Sequence, residues 1–162
     1  MIHPIENWRT LDDKGIMMPW YTRPALEWLD KQNLRGKLVF EYGCGASSLW
    51  YLSRGCVVNG VDTKREWCFH GQKITADRQA YTFLPNIPDF DIIAIDGDFR
   101  DDCTEFALRA LRSGGFLIID NYKQATADLL DWPKTDALIK NMDQWLYKEE
   151  SHEDWKTLIV RK

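Results

Sequence analysis

The chain alternates short apolar runs with segments whose apolar residues recur at helical spacing. Runs at 37–42, 56–61, 90–95 and 115–119 are rich in Val, Ile and Phe and are bounded by Gly, Pro or charged residues, the pattern of strands buried on both faces. Helical patterns lie between them. Pro24 opens a helix that runs through Leu34, with Ala25, Leu26 and Leu29 on its apolar face and Gly36 closing it. A second helix covers about 46–54 and ends at Gly55. A poorly periodic helix is expected over about 65–76, then a short strand around Tyr81-Thr82-Phe83-Leu84 that ends at Pro85. The helix over 101–113 has the clearest core face, made by Cys103, Phe106, Ala107, Ala110 and Leu111. A helix near 124–130, stopped by Pro133, and a second at about 135–141 precede two candidate strands near 143–148 and 155–161. Glu149 to Asp154 between those strands reads as a solvated turn.

Alternating strands and helices predict an α/β fold with a doubly wound, mostly parallel sheet. Only Pro85 to Asp89 separate the third and fourth strands, so that crossover is shortened and lacks a helix. The 162 residues form one domain, 1–162. Residues 1–35 are its N-terminal segment and first helix, the first 21 of them irregular and aromatic. Met17-Met18-Pro19-Trp20-Tyr21 is either a lid over a ligand or packing beneath the first helix.

Composition narrows the function classes. Hydrophobic residues are 44% and charged residues 28%, which reads as a soluble globular chain. A net charge of −4 with no Lys/Arg run gives nucleic acid no electrostatic help. Met1-Ile2-His3-Pro4-Ile5-Glu6 has no basic start or apolar centre, and no run of about 18 apolar residues follows, so neither secretion nor membrane insertion is expected. Cys44, Cys56, Cys68 and Cys103 form no Cys-x-x-Cys pair. They read as free thiols in a reducing cytoplasm rather than a zinc or redox centre. His70 reads as an ordinary helix residue, and His3 and His152 as residues of flexible regions. No oligomeric state follows from the sequence.

The chemistry concentrates at Glu41-Tyr42-Gly43-Cys44-Gly45-Ala46-Ser47, where a strand passes through a glycine turn into a helix. Gly43 and Gly45 permit a sharp turn and close approach of a ligand, and the helix start offers unpaired N–H donors. Asp62 ends the next strand about 20 residues beyond the turn, where an acid accepts hydrogen bonds from ribose hydroxyls. The alternative is an ordinary strand-to-helix turn with Asp62 as a cap. A dinucleotide site wants a third glycine where Ser48 stands, and Glu41 would repel a pyrophosphate while suiting a cation-bearing ligand.

These residues resemble motif I of the class I S-adenosylmethionine-dependent methyltransferases, Asp/Glu-x-Gly-x-Gly-x-Gly, with Ser47 in place of the third glycine. Asp62 matches the acid of the family's second motif. Phe90 to Gly97 resembles its fourth strand, and Arg112 to Asp120 its Gly-Gly turn and fifth strand, so the resemblance covers about residues 36–122. It implies a Rossmann-like methyltransferase fold with a C-terminal antiparallel edge hairpin. It also implies S-adenosyl-L-methionine as cofactor, held by Glu41, Tyr42, Gly43, Cys44, Gly45, Ser47, Asp62, Thr63, Asp96 and Gly97. The family's adenine-contacting acid after the third strand has no clear counterpart. Trp67 either flanks the adenine or packs on the sheet.

Asp96-Gly97-Asp98-Phe99-Arg100 and Asp120-Asn121-Tyr122-Lys123 follow the fourth and fifth strands, where ligands of open α/β sheets bind. Asp96, Asp120 and Asn121 resemble the Mg²⁺ ligands of catechol-type O-methyltransferases. The preferred alternative has Asp96 serving the cofactor while Asp120 and Asn121 cap the following helix. Asp96 and Asp120 are the candidate catalytic bases, and Asp98, Arg100, Asn121 and Tyr122 the candidate substrate contacts. Asp98 and Arg100 could equally be an exposed ion pair. The Asn-Pro-Pro-Tyr motif of DNA amino-methyltransferases is not matched, since Asp-Asn-Tyr follows the wrong strand and lacks the prolines. The expected function is methyl transfer to an oxygen or nitrogen of a small-molecule or sugar acceptor. The alternatives are a non-catalytic S-adenosylmethionine-binding module and a nucleotide-dependent oxidoreductase.

Overall fold

A computed structural model describes residues 3–5, 9–12, 15–69, 72–84, 89–124, 131–150 and 152–162. Its elements, in chain order, are β1 (His3–Ile5), β2 (Arg9–Leu11), α1 (Arg23–Asp30), β3 (Leu38–Tyr42), α2 (Ala46–Ser53), β4 (Val57–Asp62), β5 (Lys73–Ile74), α3 (Arg78–Thr82), β6 (Phe90–Ile95), α4 (Arg100–Ala110), β7 (Leu111–Asp120), α5 (Pro133–Ile139), β8 (Asp143–Glu149) and β9 (His152–Arg161). Seven strands form one sheet in the order β5-β4-β3-β6-β7-β9-β8. The first five of these run parallel, β9 is antiparallel to β7, and β8 is antiparallel to β9. β1 and β2 make a separate antiparallel pair, where the sequence pattern predicts irregular chain.

Strand alternation divides the core in two. Val39, Ile92, Ala94, Ile118 and Ile159 face α1 and α2, meeting Leu26, Leu29, Trp50 and Tyr51. Tyr42, Ile93, Ile95, Leu117 and Ile119 face the other side, meeting Tyr81, Cys103, Ala107 and Ile139 of α3, α4 and α5. From β3 the chain crosses to β4 on one side, while β6 lies on the other. This reversal opens a crevice beyond the carboxyl ends of β3 and β6.

Four element assignments differ from the sequence pattern. The helix expected over 65–76 is a single 3-10 turn at Arg65–Trp67 followed by the edge strand β5. No residue of that turn is buried, so nothing stabilises a helix there. His70 lies outside the described residues. The strand expected at 81–84 is instead α3, capped by Asp77, whose side chain accepts the Ala80 N–H. This short helix supplies the crossover between β5 and β6, and Pro85 lies outside the described residues. Pro133 stands in the first turn of α5, as its fixed φ allows. Of the helix expected at 124–130, only Gln124 is described. Leu111, placed by periodicity on the α4 face, begins β7. No described helix is long and apolar enough to cross a membrane, and all four cysteines are free.

Candidate active-site cleft

The glycine turn is held by backbone contacts from three strands. Gly43 N–H donates to Val61 O at 2.8 Å, while Asp96 N–H and Gly97 N–H both donate to Tyr42 O at 2.8 and 2.7 Å. Gly43 has φ +92°, and a Cβ there would fall 2.6 Å from Gly97 Cα. The absent side chain therefore admits the end of β6, not a ligand as the sequence pattern implies. Gly45 has φ +148°, a conformation open to glycine, and faces the Trp67 ring. It caps α2, and Ser48 Oγ accepts the Gly45 N–H at 3.3 Å. Gly60 is required for a reason the sequence signalled only as a glycine inside a strand. A Cβ there would meet Cys44 Sγ at 2.8 Å and Glu41 O at 2.9 Å.

Asp62 fastens this turn to β4. Its Oδ2 accepts the Cys44 N–H and its Oδ1 the Lys64 N–H, each at 2.8 Å. It is thus a backbone cap, as the bland reading holds, and it also lines the cleft, where a carboxylate retains lone pairs for further donors. Thr63 Oγ1 donates to Asp98 Oδ2 at 2.7 Å, joining the loops after β4 and β6. Asp98 N–H in turn donates to Tyr81 Oη at 3.1 Å.

The loops after β6 and β7 are organised by Arg100. Its guanidinium donates to Gly97 O, Asp96 O, Asp120 O and Asn121 Oδ1 at 2.6–3.0 Å, and lies 3.2 Å from Asp96 Oδ1. Arg100 is therefore neither an exposed ion pair nor a free substrate contact. It ties the ends of β6 and β7 together. Asp120 Oδ1 accepts from Thr157 Oγ1 at 2.7 Å, and Thr157 Oγ1 accepts the Thr22 N–H at 2.9 Å. Asn121 and the Asp96 carboxylate thus face a guanidinium, and Asp120 faces a threonine. The described residues contain no group of three His, Cys, Asp or Glu able to hold a metal. Among the described residues, the non-glycine residues with positive φ are Phe99, Asn121 and Lys123, all in the loops after β6 and β7, the kind of strain that collects at functional sites.

Burial raises the Asp96 carboxyl above its ordinary range, Arg100 opposes the rise and Asp62 adds to it. Asp120 is held well above its ordinary range by burial and by Asp96, against Thr157 and Arg100. Glu41 is fully buried beneath the turn. Its Oε2 accepts from Ser48 Oγ and its Oε1 has no partner. Burial pushes this carboxyl up from 4.5 to about 8, Ser47 and Ser48 oppose the rise, and Asp96 adds to it.

A raised carboxyl gives stability that is complete below its unfolded value and is lost as pH rises toward the folded one. Glu41 is therefore expected to cost the fold ~3 kcal/mol between about pH 4.5 and pH 7. Glu41→Gln should flatten that part of the pH dependence in urea denaturation at pH 5, 6, 7 and 8. Parallel wild-type and variant profiles would contradict it.

The cleft encloses about 360 Å³ and is lined by Gly43, Cys44, Gly45, Ser47, Asp62 and Thr63 from the loops after β3 and β4, and by Asp96, Gly97, Asp98, Arg100 and Asn121 from those after β6 and β7. Three sequence-predicted site residues, besides Glu41, lie off this lining. Tyr42 is buried in the core with its hydroxyl on Thr82 O at 2.8 Å. Tyr122 Oη donates to the Asp136 carboxylate, and Asp120 is buried behind Arg100. The lining also includes Trp20, Ala46, Lys64 and Trp67. Trp20 is 46% exposed between the buried Met18 and Tyr21, so its backbone is fixed and its ring stands at the cleft. The two alternatives read for Met17 to Tyr21 thus divide by residue, with Trp20 at the cleft and Met18 and Tyr21 in the core.

No protein-family profile matches this sequence, and no curated protein sequence does. Solved structures do match. An S-adenosylmethionine-dependent O-methyltransferase from Thermotoga maritima aligns with 85% of this chain at TM-score 0.57 and 12% identity. A 16S rRNA N2 methyltransferase of T. thermophilus, RsmC, solved with S-adenosylmethionine and guanosine, aligns with 91% at TM-score 0.61 and 19% identity. The O-methyltransferase TomG from Streptomyces achromogenes, solved with S-adenosylmethionine, aligns with 91% at TM-score 0.59 and 15% identity. The chain spans 63% of the Thermotoga protein, 45% of RsmC and 82% of TomG. The shared feature is the class I methyltransferase fold.

Proposed function

We propose that this chain is an S-adenosylmethionine-dependent methyltransferase acting on an oxygen or nitrogen of a small-molecule or sugar acceptor. The observation that carries this reading is one cleft lined by a capped glycine turn, by Asp62 and by Asp96. The residues suit the cofactor's groups. Asp62 has lone pairs for a ribose diol. Ala46 and Ser47 are first-turn residues of α2, whose N–H groups lack intrahelical partners and suit a carboxylate. The Asp96 carboxyl, which lines the cleft, suits an ammonium.

When bound, the cofactor supplies an electrophilic methyl group. The protein's part is mainly to hold the acceptor in line with it. Asp96 lines the cleft and is held above the carboxylate range, which fits a base that takes the acceptor's proton. Asp120 is committed to Thr157, so Asp96 is the better base. Arg100 is a positioning residue for both. Asn121, Asp98 and Trp20 remain the acceptor-side groups. The net charge of −4, with no Lys/Arg run in the sequence, favours a small acceptor over nucleic acid. Four free thiols fit a reducing cytoplasm.

Calorimetry with S-adenosylmethionine, its demethylated product and nicotinamide dinucleotides tests the cofactor. Asp62→Ala is expected to weaken S-adenosylmethionine by ~1.5–3 kcal/mol, the scale of hydrogen bonds to a charged group. Asp62→Asn, which keeps one acceptor for the turn, should lose less. Unchanged affinity in a folded Asp62→Ala protein would remove Asp62 from the ribose site. Transfer of labelled methyl across a panel of phenols, amines and sugars separates an enzyme from a binding module.

A further inference from the structure

The 3-10 turn and the residue before β5 are stitched to the glycine turn along one seam. The Trp67 ring packs on Gly45, 3.5 Å from where a Cβ would stand. Gln72 bridges the two sides. Its Oε1 accepts the Phe69 N–H at 2.7 Å, and its Nε2 donates to Ser48 Oγ at 3.1 Å. Between these contacts two thiols meet. Cys44 Sγ lies over Gly60, 2.8 Å from the position of a Cβ there, and Gln72 Nε2 lies 3.2 Å from the same point. Cys68 Sγ lies 3.8 Å from Lys73 O, and Lys73 pairs with Val61, the residue after Gly60. The Cys44 thiol donates to Cys68 Sγ, which also accepts the Asp62 N–H. Both cysteines are half-buried, whereas Cys56 and Cys103 are buried, each with its own carbonyl partner, Leu34 O and Asp98 O. α2 and β4 separate Cys44 from Cys68 in the chain, so no short spacing marks the pair in the sequence. Both sides of the seam reach the cleft, Cys44 and Gly45 from one and Trp67 from the other.

We propose that Cys44 and Cys68 are a redox modification site, an intrachain disulfide pair whose closure by a peroxide narrows the cleft at the glycine turn. The link to the cofactor rests on the function proposed above, and the bond itself does not. Cys68 reacts first, because its sulfur is the less buried of the two and is the one that receives hydrogen bonds. That sulfur takes one peroxide oxygen, the O–O bond breaks, and a sulfenic acid and water result. Cys44 Sγ then attacks it. The S–S bond forms, the S–O bond breaks and the oxygen leaves as a second water. Two thiols and one hydrogen peroxide thus give one disulfide and two waters. Burial holds both thiols above their ordinary range, helped by Glu41 and Asp62 at Cys44 and by Asp62 at Cys68, where Arg65 opposes. Neither is a thiolate at neutral pH, so the pair stays open in a reducing compartment and closes only as peroxide accumulates. The covalent bond draws the sulfurs closer than hydrogen-bond contact. Asp62 holds the Cys44 backbone, while the 3-10 turn has no buried residue. The 3-10 turn is therefore the side that moves, and it carries the Trp67 ring further over the glycine turn.

The test treats the reduced full chain with hydrogen peroxide, alkylates the remaining thiols after denaturation and maps the peptides by mass spectrometry. The expected product has lost two hydrogens, joins the Cys44 and Cys68 peptides, and leaves Cys56 and Cys103 alkylated. Titration calorimetry should show S-adenosylmethionine bound about tenfold more weakly by the oxidised than by the reduced chain, within the usual span of coupling between sites. Dithiothreitol should restore the affinity. By reciprocity, bound S-adenosylmethionine should disfavour the disulfide in a glutathione redox buffer. Cys68→Ser, whose side chain is off the cleft lining, should bind as the reduced chain does and should be indifferent to peroxide. Peroxide products without the Cys44–Cys68 link, or an oxidised chain with unchanged affinity, would overturn the proposal and leave the cofactor assignment standing. Failure of the reduced chain to bind S-adenosylmethionine would overturn that assignment and the coupling with it, while the peptide map would still decide the disulfide.

Discussion

Gly43→Val is expected to leave the chain without a stable native fold. The new Cβ would lie 2.6 Å from Gly97 Cα and 2.7 Å from the Asp96 carbonyl carbon, and both are backbone atoms. A side-chain rotation cannot relieve such a contact, so the ends of β3 and β6 would have to part. That would cost the two hydrogen bonds to Tyr42 O. Gly43 also sits at φ +92°, which a β-branched residue rarely adopts. Overpacking and backbone strain each cost a few kcal/mol, so a total of about 4 kcal/mol or more is expected. That is a large share of a typical domain's 5–15 kcal/mol. Circular dichroism with urea denaturation reads it directly. A variant with a native midpoint would show that the strand ends separate easily. Gly97→Ala provides an independent check, because its Cβ would lie 2.7 Å from Gly43 Cα and would also overlap the Tyr81 hydroxyl.

Arg100→Met should destabilise the fold by about 3–5 kcal/mol at neutral pH. It removes the cation between the partly buried Asp96 and the buried Asp120, and leaves the carbonyls of Asp96, Gly97 and Asp120 short of a donor. Protonation of Asp96 and Asp120 can relieve part of this, so the loss should be smaller at pH 5 than at pH 8. Arg100→Lys should recover only part of the stability, because an ammonium cannot reproduce the planar fork that reaches four acceptors. Urea denaturation of the three proteins at the two pH values measures all of this. A stability difference within 0.5 kcal/mol, the range of an ordinary surface substitution, would return Arg100 to the status of a solvent-exposed ion pair.

The sequence by itself determined the frame of this protein. Apolar runs at β3, β4, β6 and β7 had to be buried strands, because they are too short for buried helices and too apolar for loops. The spacing from Gly43 to Asp62 put a glycine turn and an acid at adjacent strand ends, since a strand, a turn and a two-turn helix consume that length. The core face of α4 and the terminal β8–β9 pair were legible for the same local reason, periodicity. Weak local signals misled where long-range packing decided the outcome. Tyr81 and Thr82 carry strand propensity, yet they lie in a helix because Tyr81 packs against Tyr42 and Phe99.

Only the tertiary structure decided what the site residues do. Glu41 and Asp62 look alike in the sequence, each an acid ending an apolar strand. Folding buries one beneath the turn with an unpartnered oxygen, and places the other at the cleft with two backbone donors. Arg100 reads as a substrate contact or an exposed ion pair, and only the convergence of β6 and β7 turns it into the shared counter-ion of Asp96 and Asp120. Gly43 reads as room for a ligand, and the structure fills that room with Gly97. Periodicity is local and fixes elements. Close approach, burial and charge balance depend on groups from distant parts of the chain, and those distances are set only when the sheet is assembled.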